Sequence, residues 1–227
     1  MDDHRLTRRG SLVTLGGFLA AGLGGAWKAT DDADASGGPA AVASGALSCV
    51  LTPELTEGPY YVPNEKVRRN LTEGRPGTPL LLRTTVLDVS SCKPIKNAAV
   101  DVWHCDALGV YSGVQGNSGT FMRGIQRTDA KGLALFQTVY PGWYQGRTVH
   151  IHVKVHVGGN VVHTGQLFFP DTLTDAVYRN APYRTRPNRT TRNGDDSIFV
   201  NGGKRGMLTL RTSGTGYTGA VTMGVHR

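Results

Sequence analysis

From residue 149 the chain reads Val-His-Ile-His-Val-Lys-Val-His-Val, apolar and polar positions alternating strictly through Val157. A period of two predicts a β-strand with one face buried and the other polar. Runs rich in Leu, Val, Ile, Thr and Phe predict further strands over 80–89, 99–105, 133–139, 161–169, 208–210 and 220–225. Turn-forming clusters separate them, among them Lys93-Pro94-Ile95-Lys96-Asn97 and Asp129-Ala130-Lys131-Gly132. Residues 172–180 read as one short helix, and 112–124 and 179–206 as long loops. Many short strands joined by Gly, Pro and Asn turns predict an all-β fold, an antiparallel β-sandwich with a transthyretin- or Ig-like core.

Composition divides the chain in two. Thr7-Arg8-Arg9-Gly10-Ser11-Leu12 opens an apolar, glycine-rich run to Trp27, and Ala41-Val42-Ala43 offers a small-residue cleavage site. This pattern predicts a twin-arginine signal peptide and linker over 1–43, a single domain over 44–227, and an exported protein, secreted or at the cell surface or periplasm. The apolar run is shorter than the roughly 20 residues a membrane helix needs, so no stable membrane insertion is expected after cleavage. The net charge of +8 suits anionic aromatic ligands. Its basic residues gather in the Pro- and Asn-rich stretch 179–192 without interleaved stacking aromatics, which predicts a solvated loop and no nucleic-acid partner. Cys49, Cys92 and Cys105 allow one disulfide and one free thiol, with Cys49 bridging to either of the others.

The candidate chemistry lies at the start of the alternating strand. Residues two apart in a strand share a face about 6.6 Å apart, so His150 and His152 can lean onto one ion. Tyr144, just upstream, can add a phenolate oxygen, and Arg147 supplies a permanent cation beside it. Phenolate with imidazole favours Fe(III) over zinc or copper. His156 faces the same way, which makes a three-histidine, cupin-like metalloenzyme the competing reading, but it lies about 13 Å along the strand from His152.

Four motifs in order resemble the intradiol ring-cleavage dioxygenases, over about residues 49 to 170. They are Thr56-Glu57-Gly58-Pro59-Tyr60, Trp103-His104 followed by Gly109-Val110-Tyr111, the Pro141-Gly142-Trp143-Tyr144 to His150-Ile151-His152 block, and Gly165-Gln166-Leu167. The resemblance implies Fe(III) held by Tyr111, Tyr144, His150 and His152, with Tyr60, Tyr61 and Tyr140 as rival tyrosines. It implies that Arg147 stabilises charge developing on the ring, that Tyr144 takes a proton, and that Gln166 hydrogen-bonds near the oxygen-binding region. Thr56, Gly58, Pro59 and Tyr60 would line the substrate pocket, and the long loops would be active-site loops. The implied partners are a small catecholic substrate and O2, cleaved to a cis,cis-muconate-type diacid. Only five residues separate Tyr144 from His150, so a tight turn and an open pocket mouth are expected. The larger relatives' N-terminal helical dimerisation segment has no counterpart in the turn-rich residues before the first strand, so oligomeric state is not carried over. Residues 93–136 also resemble a transthyretin-like module, which keeps a non-catalytic binding domain as a further alternative.

Overall fold

The alternating run forms β6 (His150–Val157), with Ile151, Val153 and Val155 turned into the core and His150, His152 and Lys154 on the opposite face. The computed structural model describes residues 49–227, which lie within one compact unit. The leader read over 1–43 and its cleavage site lie outside the described residues. Two sheets pack across a common core. One holds β1 (Pro79–Asp88), β2 (Lys93–Pro94), β5 (Leu133–Val139), β8 (Thr209–Ser213) and β9 (Gly216–Val225). The other has the order β4-β3-β6-β7, with β3 spanning Ala99–Trp103, β4 Arg123–Arg127 and β7 Asn160–Phe168. Leu80, Leu82, Phe136, Val221 and Met223 from the first sheet meet Val100, Val102, Ile151, Val153 and Leu167 from the second. Each such buried side chain contributes about 1.5–3 kcal/mol.

The expected all-β antiparallel sandwich is corrected to a mixed α/β fold. Two α-helices stand beside the sheets, α1 (Asp171–Val177) and α2 (Ser197–Gly202), and β1 runs parallel to β9 over nine residue pairs from Leu80↔Tyr217 to Asp88↔Val225. The first helix lies where residues 172–180 read as a short helix, whereas α2 is too short for a 3.6-residue period to be read from sequence, and a pairing between the first and last strands leaves no local pattern. The segment read as a loop over 179–206 contains α2 and short 3-10 turns, and β4 begins inside the end of the other predicted loop. The basic stretch is solvated at Arg179, Arg184 and Arg192, which are exposed, but tethered at Arg189, whose side chain is almost fully buried and pairs with Asp171 at 2.6 Å and Asp175 at 2.9 Å.

Residues 55–68 form a strap across the outer face of the four-stranded sheet. At one end Leu55 N donates to Thr164 O (2.9 Å) over β7, and at the other Arg68 N donates to Ile125 O (3.0 Å) over β4. Between them Glu57 pairs with Lys154. Cys49 and Cys92 form the disulfide, and Cys105 is the buried free thiol, pushed up to about 12 by burial. No helix among the described residues is long and apolar enough to cross a membrane.

Candidate metal centre

Strand register assembles the site. On β6, His152 lies opposite Trp103 of β3 on one side and Gln166 of β7 on the other, while His150 lies opposite Phe168. The Trp103 indole stacks on the His152 imidazole, centroids 5.0 Å apart and 6° from parallel. His150 Nδ1 is 2.6 Å from Thr148 O, a pure acceptor, so this nitrogen carries the proton and Nε2 presents a lone pair. That Nε2 stands 3.0 Å from Tyr144 Oη, 3.0 Å from His152 Nε2 and 3.5 Å from Arg147 Nη1. Burial, reinforced for His150 by the Arg147 charge, lowers the His150 pKa to about 3 and holds His152 well below its ordinary value. Both are therefore neutral near pH 7, the form that binds a metal.

Tyr144 reaches the site from the turn before β6. The tight turn expected there is formed: Arg147 N donates to Tyr144 O at 3.5 Å, and Gly146 takes φ of +83°. Tyr111 follows β3 on the other side, its ring 5.7 Å from that of Tyr144 and 6.4 Å from His152. Its hydroxyl is buried and finds no hydrogen-bond partner. Burial pushes the Tyr144 phenol up to about 12, against the pull of Arg147, and Tyr111 well above the ordinary tyrosine value. Both phenols stay protonated near neutrality unless a strong Lewis acid takes the proton's place.

The glycine of Pro141-Gly142-Trp143-Tyr144 has a packing reason. A Cβ on Gly142 would sit 2.5 Å from Ala107 O and 2.7 Å from Asp106 O, both backbone atoms in the turn that leads to Tyr111. Gly142 N also donates to Asp106 O at 2.9 Å. The two tyrosine-bearing segments thus lie backbone against backbone. Gly142→Ala is expected to lower unfolding free energy by about 1–3 kcal/mol in urea titrations, and an unchanged midpoint would contradict this packing.

Arg147 is held on two sides. Its Nε donates to Asp196 Oδ2 (2.9 Å) and its Nη2 to Gln166 Oε1 (2.5 Å). Gln166 Nε2 donates in turn to Thr56 O (2.8 Å), so the amide orientation is set by a pure donor on one side and a pure acceptor on the other. On the strap, Gly58 approaches His152 closely: an added Cβ would lie 3.2 Å from its Cε1, and φ of +72° also favours glycine. Thr56 Oγ1 accepts from Gly58 N at 3.2 Å, Pro59 follows, and the Tyr60 ring lies 4.7 Å from that of Tyr111.

The rival tyrosines are engaged elsewhere. Tyr140 Oη hydrogen-bonds Thr174 of α1 at 2.8 Å, Tyr60 Oη accepts from Gln115 at 2.9 Å, and Tyr61 packs on Trp103 under Lys154. His156 stays partly exposed at the far end of β6, and no cluster of three or more His, Cys, Asp or Glu side chains converges among the described residues. Asp196 was missed from sequence because it lay in a segment read as loop. Its signal was Asp196-Ser197 at a helix start, and its carboxylate indeed caps α2 by accepting from Ile198 N (2.9 Å) and Phe199 N (3.4 Å). Burial opposes ionisation of this carboxyl, but Thr148 N and the Arg147 guanidinium outweigh it and lower its pKa.

Two neutral imidazoles and two phenols thus converge, with an orphaned buried hydroxyl and three groups crowding one lone pair. A hard trivalent cation fits that donor set. Comparison with known proteins agrees. The family model described as Dioxygenase matches residues 56–180. Catechol 1,2-dioxygenase 2 of Acinetobacter lwoffii is 37% identical over 141 residues, covering 58% of this chain and 49% of that protein. The chain spans about half the length of the curated relatives it matches. Among solved structures, an intradiol ring-cleavage dioxygenase from Tetranychus urticae superposes with a TM-score of 0.75 at 33% identity, over 78% of this chain and 95% of that one. The dioxygenase domain of a dioxygenase carbohydrate-binding protein fusion from Streptomyces sp. SirexAA-E gives 0.63 at 32% identity, over 78% and 99%. The comparisons also correct the expected export. The matches cover the dioxygenase segment and give no support to a twin-arginine leader, so the exported subgroup and the secreted or periplasmic location are withdrawn. The family match extends over more than half of the chain, and the chain belongs to the intradiol ring-cleavage dioxygenases.

Proposed function

We propose that this chain cleaves a catechol-type ring between its two hydroxyl-bearing carbons, using O2 and a ferric ion held by Tyr111, Tyr144, His150 and His152. The observation that carries the reading is the approach of Tyr144 Oη, His150 Nε2 and His152 Nε2 to within 3.0 Å of one another along that series, beside the unpartnered hydroxyl of Tyr111. A ferric ion bound there would act as a Lewis acid, keeping phenolate and catecholate oxygens ionised and activating the ring toward O2. The chain's own groups supply the rest. Tyr144, less deeply buried than Tyr111, is the phenol placed to hold a proton given up by the substrate. The Arg147 guanidinium is pre-oriented beside His150, where it stabilises negative charge developing on the ring. Gln166 holds that guanidinium, and Thr56, Gly58, Pro59 and Tyr60 form the wall against which the ring lies.

The curated relatives' names support a catechol. The test is a visible spectrum of the purified chain loaded with Fe(III), titrated anaerobically with catechol, hydroxyquinol and protocatechuate and then exposed to O2. A red-brown charge-transfer band that shifts on titration, followed by a muconate with both oxygen atoms incorporated, is the expected result. A yellow hydroxymuconic semialdehyde would mean cleavage outside the diol and would overturn the reading.

A further inference from the structure

We propose that Asp196 is a positioning residue for Arg147, fixing the direction in which its guanidinium meets the substrate. The inference rests on the function proposed above. A long arginine side chain loses rotamer freedom when it is fixed, so a cation that must face one point needs holding. Arg147 sits in the short turn between Tyr144 and β6, and its planar fork is gripped from two directions. Nε donates to Asp196 Oδ2 at 2.9 Å and Nη2 to Gln166 Oε1 at 2.5 Å. These two bonds leave Nη1 as the edge of the fork aimed inward, 3.5 Å from His150 Nε2.

The Asp196 carboxylate is itself immobilised. It is only 2% exposed. One oxygen accepts from Ile198 N and Phe199 N at the start of α2, and the other accepts from Thr148 N at 2.9 Å as well as from Arg147. It therefore ties the Arg147–Thr148 backbone and the Arg147 side chain to one rigid point. Asn193 adds a parallel tie by accepting from Thr148 Oγ1 at 2.6 Å and donating to Phe169 O at 2.9 Å. Through these contacts the segment after α1, remote in sequence from every candidate ligand, sets the aim of the candidate electrostatic group. A helix cap alone would not require the second carboxylate oxygen to face Arg147.

Asp196→Ser tests this, because serine still caps a helix but is too short to reach the guanidinium. Turnover of the Fe(III)-loaded enzyme on catechol is expected to fall by about ten- to a hundredfold with KM nearly unchanged. The resting charge-transfer band should be preserved. Asp196→Asn, isosteric and able to keep one of the two contacts, should lose less. In an Arg147→Lys background the serine substitution should cost little further, since coupled positions are not additive. A metal-free readout is independent of turnover. In 15N NMR of the metal-free chain the Arg147 Nε–H should be slowly exchanging, and Asp196→Ser should abolish that protection. Unchanged protection, or losses that simply add in the double variant, would overturn the positioning role. If the parent chain shows no ring cleavage, the function proposed above fails, while the NMR result still decides whether Asp196 holds Arg147.

Discussion

Tyr111→Phe is expected to leave a folded chain that has lost most of its affinity for Fe(III) and whose residual metal-bound form has a weakened, shifted visible band. The substitution removes a single oxygen from a ring that is already packed against Tyr60 and lies beneath Arg123. In the metal-free chain that oxygen interacts with the Tyr144 hydroxyl without a well-formed hydrogen bond, and Tyr144 keeps its contact with His150, so the fold should be unharmed or slightly more stable. The whole cost then falls on the metal. Even outer-shell partners of metal ligands are worth about 10–100-fold in affinity, and a direct ligand should exceed that. Tyr144→Phe should also change the band, with a further loss of turnover because Tyr144 is the phenol we propose to hold the substrate's proton. Iron content by metal analysis, the visible spectrum and a thermal melt of the metal-free protein read the three effects separately. Tyr140→Phe is the control, since its hydroxyl is occupied by Thr174 in the core. If both candidate variants keep the parent spectrum while the control loses it, the ligand assignment is wrong.

Arg147→Lys should keep iron and colour and yet raise the barrier to turnover by about 2–4 kcal/mol, a slowing of roughly 30- to 1000-fold. Lysine keeps the charge but presents a flexible point cation in place of a planar fork. It cannot donate at once to Asp196 and Gln166 while presenting a third edge to the site, as the guanidinium does. The Gln166 carbonyl oxygen and one Asp196 oxygen would each compete for the ammonium. Steady-state kcat and KM with catechol, together with the resting spectrum, check this. Full activity with an intact band would reduce Arg147 to a structural ion pair.

The candidate site was legible in sequence to the extent that it is local. Strict alternation from Val149 to Val157 placed His150 and His152 on one face, because a strand's period of two needs no tertiary information. The spacing from Tyr144 to His150 likewise announced the tight turn at Gln145-Gly146. Gln166 and the Thr56–Tyr60 segment were named by resemblance, but the reason they belong together is register: Gln166 pairs across from His152, and the strap lies over both. The disulfide partner, left open between Cys92 and Cys105, was decided by residues 51–52 pairing with the end of β9, beside the turn that follows β1.

Charge and hydrophobic pattern alone determined that this chain builds short strands around a mainly aliphatic core, with two imidazoles and a nearby phenol on the outer face of one strand. Those features depend only on the local backbone period and on which side chains avoid water. The parallel pairing of β1 with β9, the helix α2 and the anchoring of Arg147 by Asp196 were decided only by the tertiary structure. Each joins residues far apart in sequence or spans too few residues to set up a period, so its energy resides in contacts that exist only once the chain has folded.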